Sequence, residues 1–224
     1  MTELTDKQRA EANALEKEKI FEEFPVLRLE EGFILRELQP LDALDLLNYL
    51  SNPEVHRYVN EEDTPSTLQE AESEVYYWSG LFRHRRSIYW AVAREDTNQV
   101  IGTVGYNIWS RTHDRAEISY DLAREYWGQG LMTSLLRLIV KFGFEEMQLK
   151  RIQATVVLDN KGSIRVLQKL GFKDEGILRK YNCLRGKYCD SRMMAILDSD
   201  YRSDKRYQTT GQWTKTPEKK KKFK

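Results

Sequence analysis

The chain has 224 residues, enough for one substantial core and too few for two. Lys and Arg number 36 against 35 Asp and Glu, so no net field draws the protein toward nucleic acid or a membrane surface. The start, Met1-Thr2-Glu3-Leu4-Thr5-Asp6, lacks the basic and apolar parts of a secretory signal, and Arg137 and Lys141 interrupt the most apolar stretch. Cys183 and Cys189 match no zinc or redox spacing. These features predict a cytoplasmic protein without a metal site.

Residues 1–24 are rich in Glu, Lys, Ala and Gln and contain neither Gly nor Pro, which predicts an appended helix ended by Pro25. Residues 26–29 and 33–38 flank Glu30-Glu31-Gly32 as a hairpin. Leu41, Leu44, Leu47 and Leu50 give a first amphipathic helix, broken at Asn52-Pro53. A second helix spans 67–82 and closes on Arg83-His84-Arg85-Arg86, either a solvated terminus or a contact for substrate or RNA. Three strands follow at 88–93, 100–109 and 115–122. In the last, Glu117, Ser119 and Asp121 share one face, while Ala116, Ile118, Tyr120 and Leu122 share the other.

Residues 131–144 are apolar nearly all round, as expected of a helix buried against a sheet. A strand at 151–158 leads to Asn160-Lys161-Gly162-Ser163, where Asn160 reads as the N-cap of a helix that Gly171 ends. Strands at 172–175, 177–184 and 188–197 close the sheet. The clusters Tyr76-Tyr77-Trp78 and Tyr89-Trp90 read as core, and residues 204–224, with lysines at 219–222, as a disordered basic tail. The sum is one α/β domain over 25–203, with a mixed, mostly antiparallel sheet and helices on both faces.

Glu125-Tyr126-Trp127-Gly128-Gln129-Gly130-Leu131-Met132-Thr133 joins the third strand to the apolar helix. Gly128 and Gly130 allow a tight turn and close approach of backbone amides to a ligand at a helix start, the elements of a phosphate cradle. A dinucleotide fingerprint needs a third glycine where Thr133 stands, and a P-loop needs a lysine before Ser134 that is absent. On its own residues the loop is either a different phosphate cradle or a plain connecting turn.

The segments Ala116-Glu117-Ile118-Ser119-Tyr120, Tyr126 through Thr133, and Asn160-Lys161-Gly162-Ser163-Ile164-Arg165-Val166-Leu167-Gln168-Lys169-Leu170-Gly171-Phe172 stand in this order within about 27–201. Together they resemble the GNAT superfamily of acyl-CoA-dependent N-acetyltransferases. The closer likeness is to its RimJ/RimL-like branch, which includes acetyltransferases of ribosomal-protein N-termini. The resemblance implies the GNAT acyltransferase fold and acetyl-CoA as co-substrate. It also implies a pyrophosphate site at Gly128, Gln129, Gly130, Leu131, Met132 and Thr133, formed by the backbone amides of 129–133. The strand ending at Leu122 would splay from the next to admit the pantetheine arm, and Asn160 would hydrogen-bond that arm. Two positions depart from the pattern. Glu125 stands where the commonest loop has Gln or Arg, and Leu167 where many members carry a tyrosine general acid. Ser163 is the position from which this branch would supply a hydroxyl, which makes it the candidate acid.

Acetyl transfer needs a neutral amine and a stabilised thiolate. An α-amine with a pKa of about 8 loses its proton at pH 7 for roughly 1 kcal/mol, a lysine for roughly 4 to 5. One carboxylate therefore suffices for an N-terminus. Glu117 borders the expected thioester site and is the candidate base, the plainer alternative being a carboxylate facing solvent or paired with Arg115. The first acceptor expectation is a protein N-terminal amine, as of a ribosomal protein, handled by a monomer or homodimer without membrane or specific nucleic-acid contact. A small amine (polyamine, aminosugar or amino acid) is the second, and acidic residues lining the cleft would favour a polyamine. A non-catalytic acyl-CoA-binding or RNA-associated module is the third.

Overall fold

A computed structural model describes residues 17–59 and 64–208. Most of the helix expected over 1–24, and the lysine run, lie outside these residues. Among the described residues, eight strands form one sheet: β1 (Leu27–Leu29), β2 (Phe33–Glu37), β3 (Tyr89–Arg94), β4 (Val100–Ser110), β5 (Arg115–Leu122), β6 (Arg151–Val157), β7 (Lys173–Leu184) and β8 (Lys187–Leu197). Their order is β1-β2-β3-β4-β5-β6-β8-β7, and only β5 and β6 run parallel. That pair needs a crossover, supplied by the helix α4 defined below.

The helices are α1 (Ala43–Leu50), α2 (Pro53–His56), α3 (Leu68–Arg83), α4 (Leu131–Glu145), α5 (Lys161–Lys169), α6 (Asp198–Ser203) and α7 (Lys205–Gln208). None among the described residues is long and apolar enough to cross a membrane. On one face of the sheet, Phe142 of α4 packs edge-on to Trp90 at 5.3 Å, and Tyr106 Oη donates to Ile139 O at 2.6 Å. Gly143 makes this approach possible, because a Cβ there would stand 2.2 Å from Tyr106 Oη. On the other face, Tyr49 of α1 reaches Asp121, and Trp78 of α3 stacks on Tyr89 at 4.1 Å. The expected layers and hairpin are present.

Four expectations are corrected. The buried side of α1 is Ala43, Leu46, Tyr49 and Leu50, whereas Leu41 and Leu44 are 90% and 56% exposed. A 3-10 turn, Pro40–Asp42, precedes the helix, and its Asp42 carboxylate is gripped by both terminal nitrogens of Arg36 at 2.7 and 2.8 Å. This buried pair anchors the chain immediately before α1. Tyr76 and Tyr77, expected in the core beside Trp78, are 67% and 55% exposed. Residues 204–208, assigned to a disordered tail, include α7. Its Tyr207 is buried, donates to Leu170 O at 2.8 Å and packs on Tyr201 at 4.8 Å. The two strands expected at 172–175 and 177–184 are the single strand β7, with a register shift at Gly176.

At the N-terminal side, Phe21 is buried against Trp109 and Phe82, and Lys17 pairs with Asp114. This segment covers the end of the sheet near the β4–β5 turn.

Candidate active site

The parallel ladder between β5 and β6 joins only Arg115–Arg151, Ala116–Ile152 and Glu117–Gln153. Beyond Glu117 the strands part, while β5 stays paired to β4 as far as Leu122 and β6 to β8 as far as Val157. A gap lined by strand backbone thus opens in mid-sheet. It belongs to a cavity of about 390 Å³ reached by β5, β6, α1, α3, the start of α5 and the β7–β8 hairpin.

The loop after β5 ends in two glycines with left-handed backbone, Gly128 (φ 76°) and Gly130 (φ 87°). A Cβ at either would meet nothing within 4 Å, so conformation rather than crowding demands glycine, and the space beyond stays open for a ligand. Within α4, the amides of Thr133 and Ser134 donate to Gly130 O at 2.9 and 3.2 Å. The amides of Leu131 and Met132 come before any carbonyl that the helix could offer them. Gln129 braces the loop by donating from its side chain to Glu125 O at 2.6 Å. The Trp127 indole donates to Leu122 O at 2.7 Å, tying the strand end to the loop. Leu131 is buried, so it has only backbone to present to a ligand. These residues form one cradle at the end of the gap, but the glycine loop does not line the cavity itself.

Asn160 and Ser163 face the cavity from the start of α5. Asn160 Oδ1 caps the helix by accepting from the Ser163 amide at 3.0 Å. Ser163 Oγ lies 2.7 Å from Tyr120 Oη. Glu117 is only 8% exposed and accepts from Thr155 Oγ1 at 2.8 Å and Gln153 Nε2 at 3.0 Å. It neither faces bulk solvent nor pairs with Arg115. Glu117 and Ser163 border the same cavity from opposite faces of β5, since Ser119 and Asp121 reach Tyr89, on which Trp78 of α3 stacks, and Tyr49 of α1, whereas Tyr120 reaches Ser163 of α5.

Sequence reasoning passed over Asp121. Its Oδ1 accepts from Tyr49 Oη at 2.7 Å and the Thr103 amide at 3.0 Å, and its Oδ2 accepts from Thr103 Oγ1 at 2.6 Å. Burial holds the Asp121 carboxyl above its ordinary range in spite of these donors, and burial with the nearby carboxylate raises the Tyr49 phenol. Its place on the Glu117 face was the available signal. A second missed feature is the strap after α2. Tyr58 Oη donates to Asp159 O at 3.2 Å, and Arg185 of the β7–β8 turn donates to His56 O at 3.0 Å. Partners 101 and 129 residues apart leave no local trace in a sequence.

Among the described residues lining the cavity, the charged side chains are Glu74, Glu117 and Asp121, all acidic. Residues 33–173 match the acetyltransferase (GNAT) domain family. The uncharacterized N-acetyltransferase YoaA of Bacillus subtilis is 36% identical over 174 residues, covering 78% of this chain and 97% of that protein. The ribosomal-protein-S5-alanine acetyltransferase from Vibrio fischeri superposes with a TM-score of 0.68 at 26% identity, covering 78% of this chain and 98% of that one. RimL, the ribosomal L7/L12 α-N-protein acetyltransferase solved with coenzyme A, gives a TM-score of 0.71 at 18% identity, over 78% of this chain and 99% of its own.

Proposed function

The chain belongs to the GNAT family of acetyltransferases and is an acetyl-CoA-dependent N-acetyltransferase; we propose that its acceptor is the α-amine of a protein N-terminus, of the ribosomal-protein type. The carrying observation is Glu117, a sheltered carboxylate bordering the cavity at the point where β5 and β6 part, with neutral hydrogen-bond donors on both oxygens. One such group suits an amine that needs only about 1 kcal/mol to lose its proton at pH 7. The likeness to the S5-alanine acetyltransferase favours the same reading.

The residues present fit acetyl-CoA. The left-handed glycines and the open helix start suit a pyrophosphate, with the amides of 129–133 as donors. The unpaired edges of β5 and β6, including Leu122, suit the amide-bearing pantetheine arm, and Asn160 stands beside them. When bound, the co-substrate supplies an activated acetyl group. Glu117 takes the proton of the acceptor ammonium, directly or through one water, so that the amine can attack. Ser163 donates a hydrogen bond to the leaving sulfur from the opposite face of β5 and so stabilises the thiolate. Asn160 sets the first turn of α5 and with it the position of Ser163.

A second reading, a small polyamine, is favoured by one observation: the three charged residues of the described cavity wall are all carboxylates, which suits an acceptor with a second positive charge. Thiol release from acetyl-CoA, measured with N-terminal peptides and with a panel of diamines and polyamines, separates the two. The first reading expects peptides with free α-amines to be turned over and their N-acetylated forms to be inert. Turnover of polyamines with no peptide activity overturns it in favour of the second.

A further inference from the structure

Ser163 has a neighbour to which the transfer step gives no role. Tyr120 Oη lies 2.7 Å from Ser163 Oγ, and both residues border the cavity. They come from opposite walls of the gap: Tyr120 from the part of β5 that has left β6, Ser163 from the first turn of α5. Ser163 is held from its other side as well, by the amide it donates to Asn160 Oδ1.

Of two hydroxyls in contact, a phenol is the better donor and an aliphatic alcohol the better acceptor. A serine hydroxyl carries one hydrogen and two lone pairs. When Tyr120 donates, the serine oxygen is the acceptor in the pair and its own hydrogen is free to point elsewhere. Desolvation lifts the Tyr120 phenol above its ordinary range, so it keeps its hydrogen throughout the neutral pH region. The pair is therefore polarised in one direction, from β5 through Ser163 toward the cavity.

We propose that Tyr120 is the positioning residue for Ser163, fixing the serine rotor so that its hydrogen meets the sulfur as the carbon–sulfur bond breaks. The inference rests on Ser163 acting as the acid. The electron pair of the broken bond stays on sulfur, the hydrogen bond from Ser163 meets it there, and Tyr120 keeps its own proton. Donation from Tyr120 makes Ser163 a stronger donor, as in any chain of hydroxyls sheltered from water.

The test is a pH titration of the thiol of CoA bound to the full chain, followed by thiolate ultraviolet absorbance. It compares the wild type, Tyr120→Phe, Ser163→Ala and the double variant. Tyr120→Phe removes one oxygen and keeps the ring. The expected result is that the bound thiol titrates at the lowest pH in the wild type, higher in Tyr120→Phe, and highest and equally in Ser163→Ala and the double variant. Turnover of acetyl-CoA by Tyr120→Phe should fall about tenfold, near the upper net worth of one hydrogen bond between neutral groups, with KM for the donor unchanged. If Ser163→Ala moves the titration and Tyr120→Phe does not, the role of Tyr120 alone is overturned. If Ser163→Ala leaves it in place, the acid reading and this inference fall together. Additive shifts in the double variant also overturn the inference, because Tyr120 would then act without Ser163. Loss of CoA binding in Tyr120→Phe makes the bond structural and has the same consequence.

Discussion

On the proposed reading, the two halves of the molecule that meet at β5 recognise their ligands by different means. The proposed donor half relies mainly on backbone: two left-handed glycines, a helix start and a pair of strands that part after Glu117, with the Asn160 cap as its side-chain element. The proposed acceptor half presents side chains gathered from distant segments: Tyr49 of α1, Glu74 and Trp78 of α3, and the strap carrying Tyr58 all line the cavity. A ligand held by backbone leaves a contiguous signature, because glycine and cap positions are dictated locally. A ligand held by side chains leaves none, since any helix that packs can present them. The donor is therefore legible in the sequence and the acceptor is not.

Glu117 lies where the halves join, so its loss has the largest expected effect. Glu117→Gln should lower kcat/KM about 10²- to 10⁴-fold, the range for a general base, with acetyl-CoA affinity unchanged. The variant should also lose the acid limb of the pH profile. Near-normal turnover with that limb retained would move the base elsewhere, with Asp121 the next carboxylate to examine.

The phase of α1 tests the acceptor half by stability. Leu46→Ala should cost about 2–4 kcal/mol, since Leu46 is buried against the sheet. Leu44→Ala should change stability by less than about 0.5 kcal/mol. Equal costs in chemical denaturation would mean that the helix is turned as its leucine repeat suggested.

A narrower test concerns the donor half. At Gly130 an L-residue must bear about 1–2 kcal/mol of left-handed strain, or the loop must move. Gly130→Val should weaken acetyl-CoA binding about tenfold and leave the acceptor KM alone. A change confined to the acceptor KM would dissolve the division between the halves.

The smallest effect is a pH dependence. Burial raises the Asp121 carboxyl in the folded state, so the folded chain binds more protons there than the unfolded one. The contribution of Asp121 to stability is thus most favourable below the unfolded carboxylate value. It declines as pH rises toward the raised folded value and is flat above it. Asp121→Asn should lack this decline in urea unfolding series, and a parallel pH dependence in both proteins would contradict it.

Legibility failed where tertiary contacts overrode local pattern. Tyr76 and Tyr77 look like core by residue type, yet only Trp78 of that run reaches the sheet, stacking on Tyr89. Tyr207 stands in a polar stretch that reads as tail, and its burial depends on Leu170 and Tyr201, which a local reading does not bring together. Asn160 was legible because a cap acts within three residues, on the Ser163 amide.

The central claim is that the gap between β5 and β6 and the amides at the start of α4 hold acetyl-CoA. Amide hydrogen exchange with and without acetyl-CoA tests it most directly. Protection should rise at the β6-facing amides of 118–122 and at 129–133, and stay unchanged along α1. Protection confined to α1 and α3, with none at the gap or the glycine loop, would contradict the account.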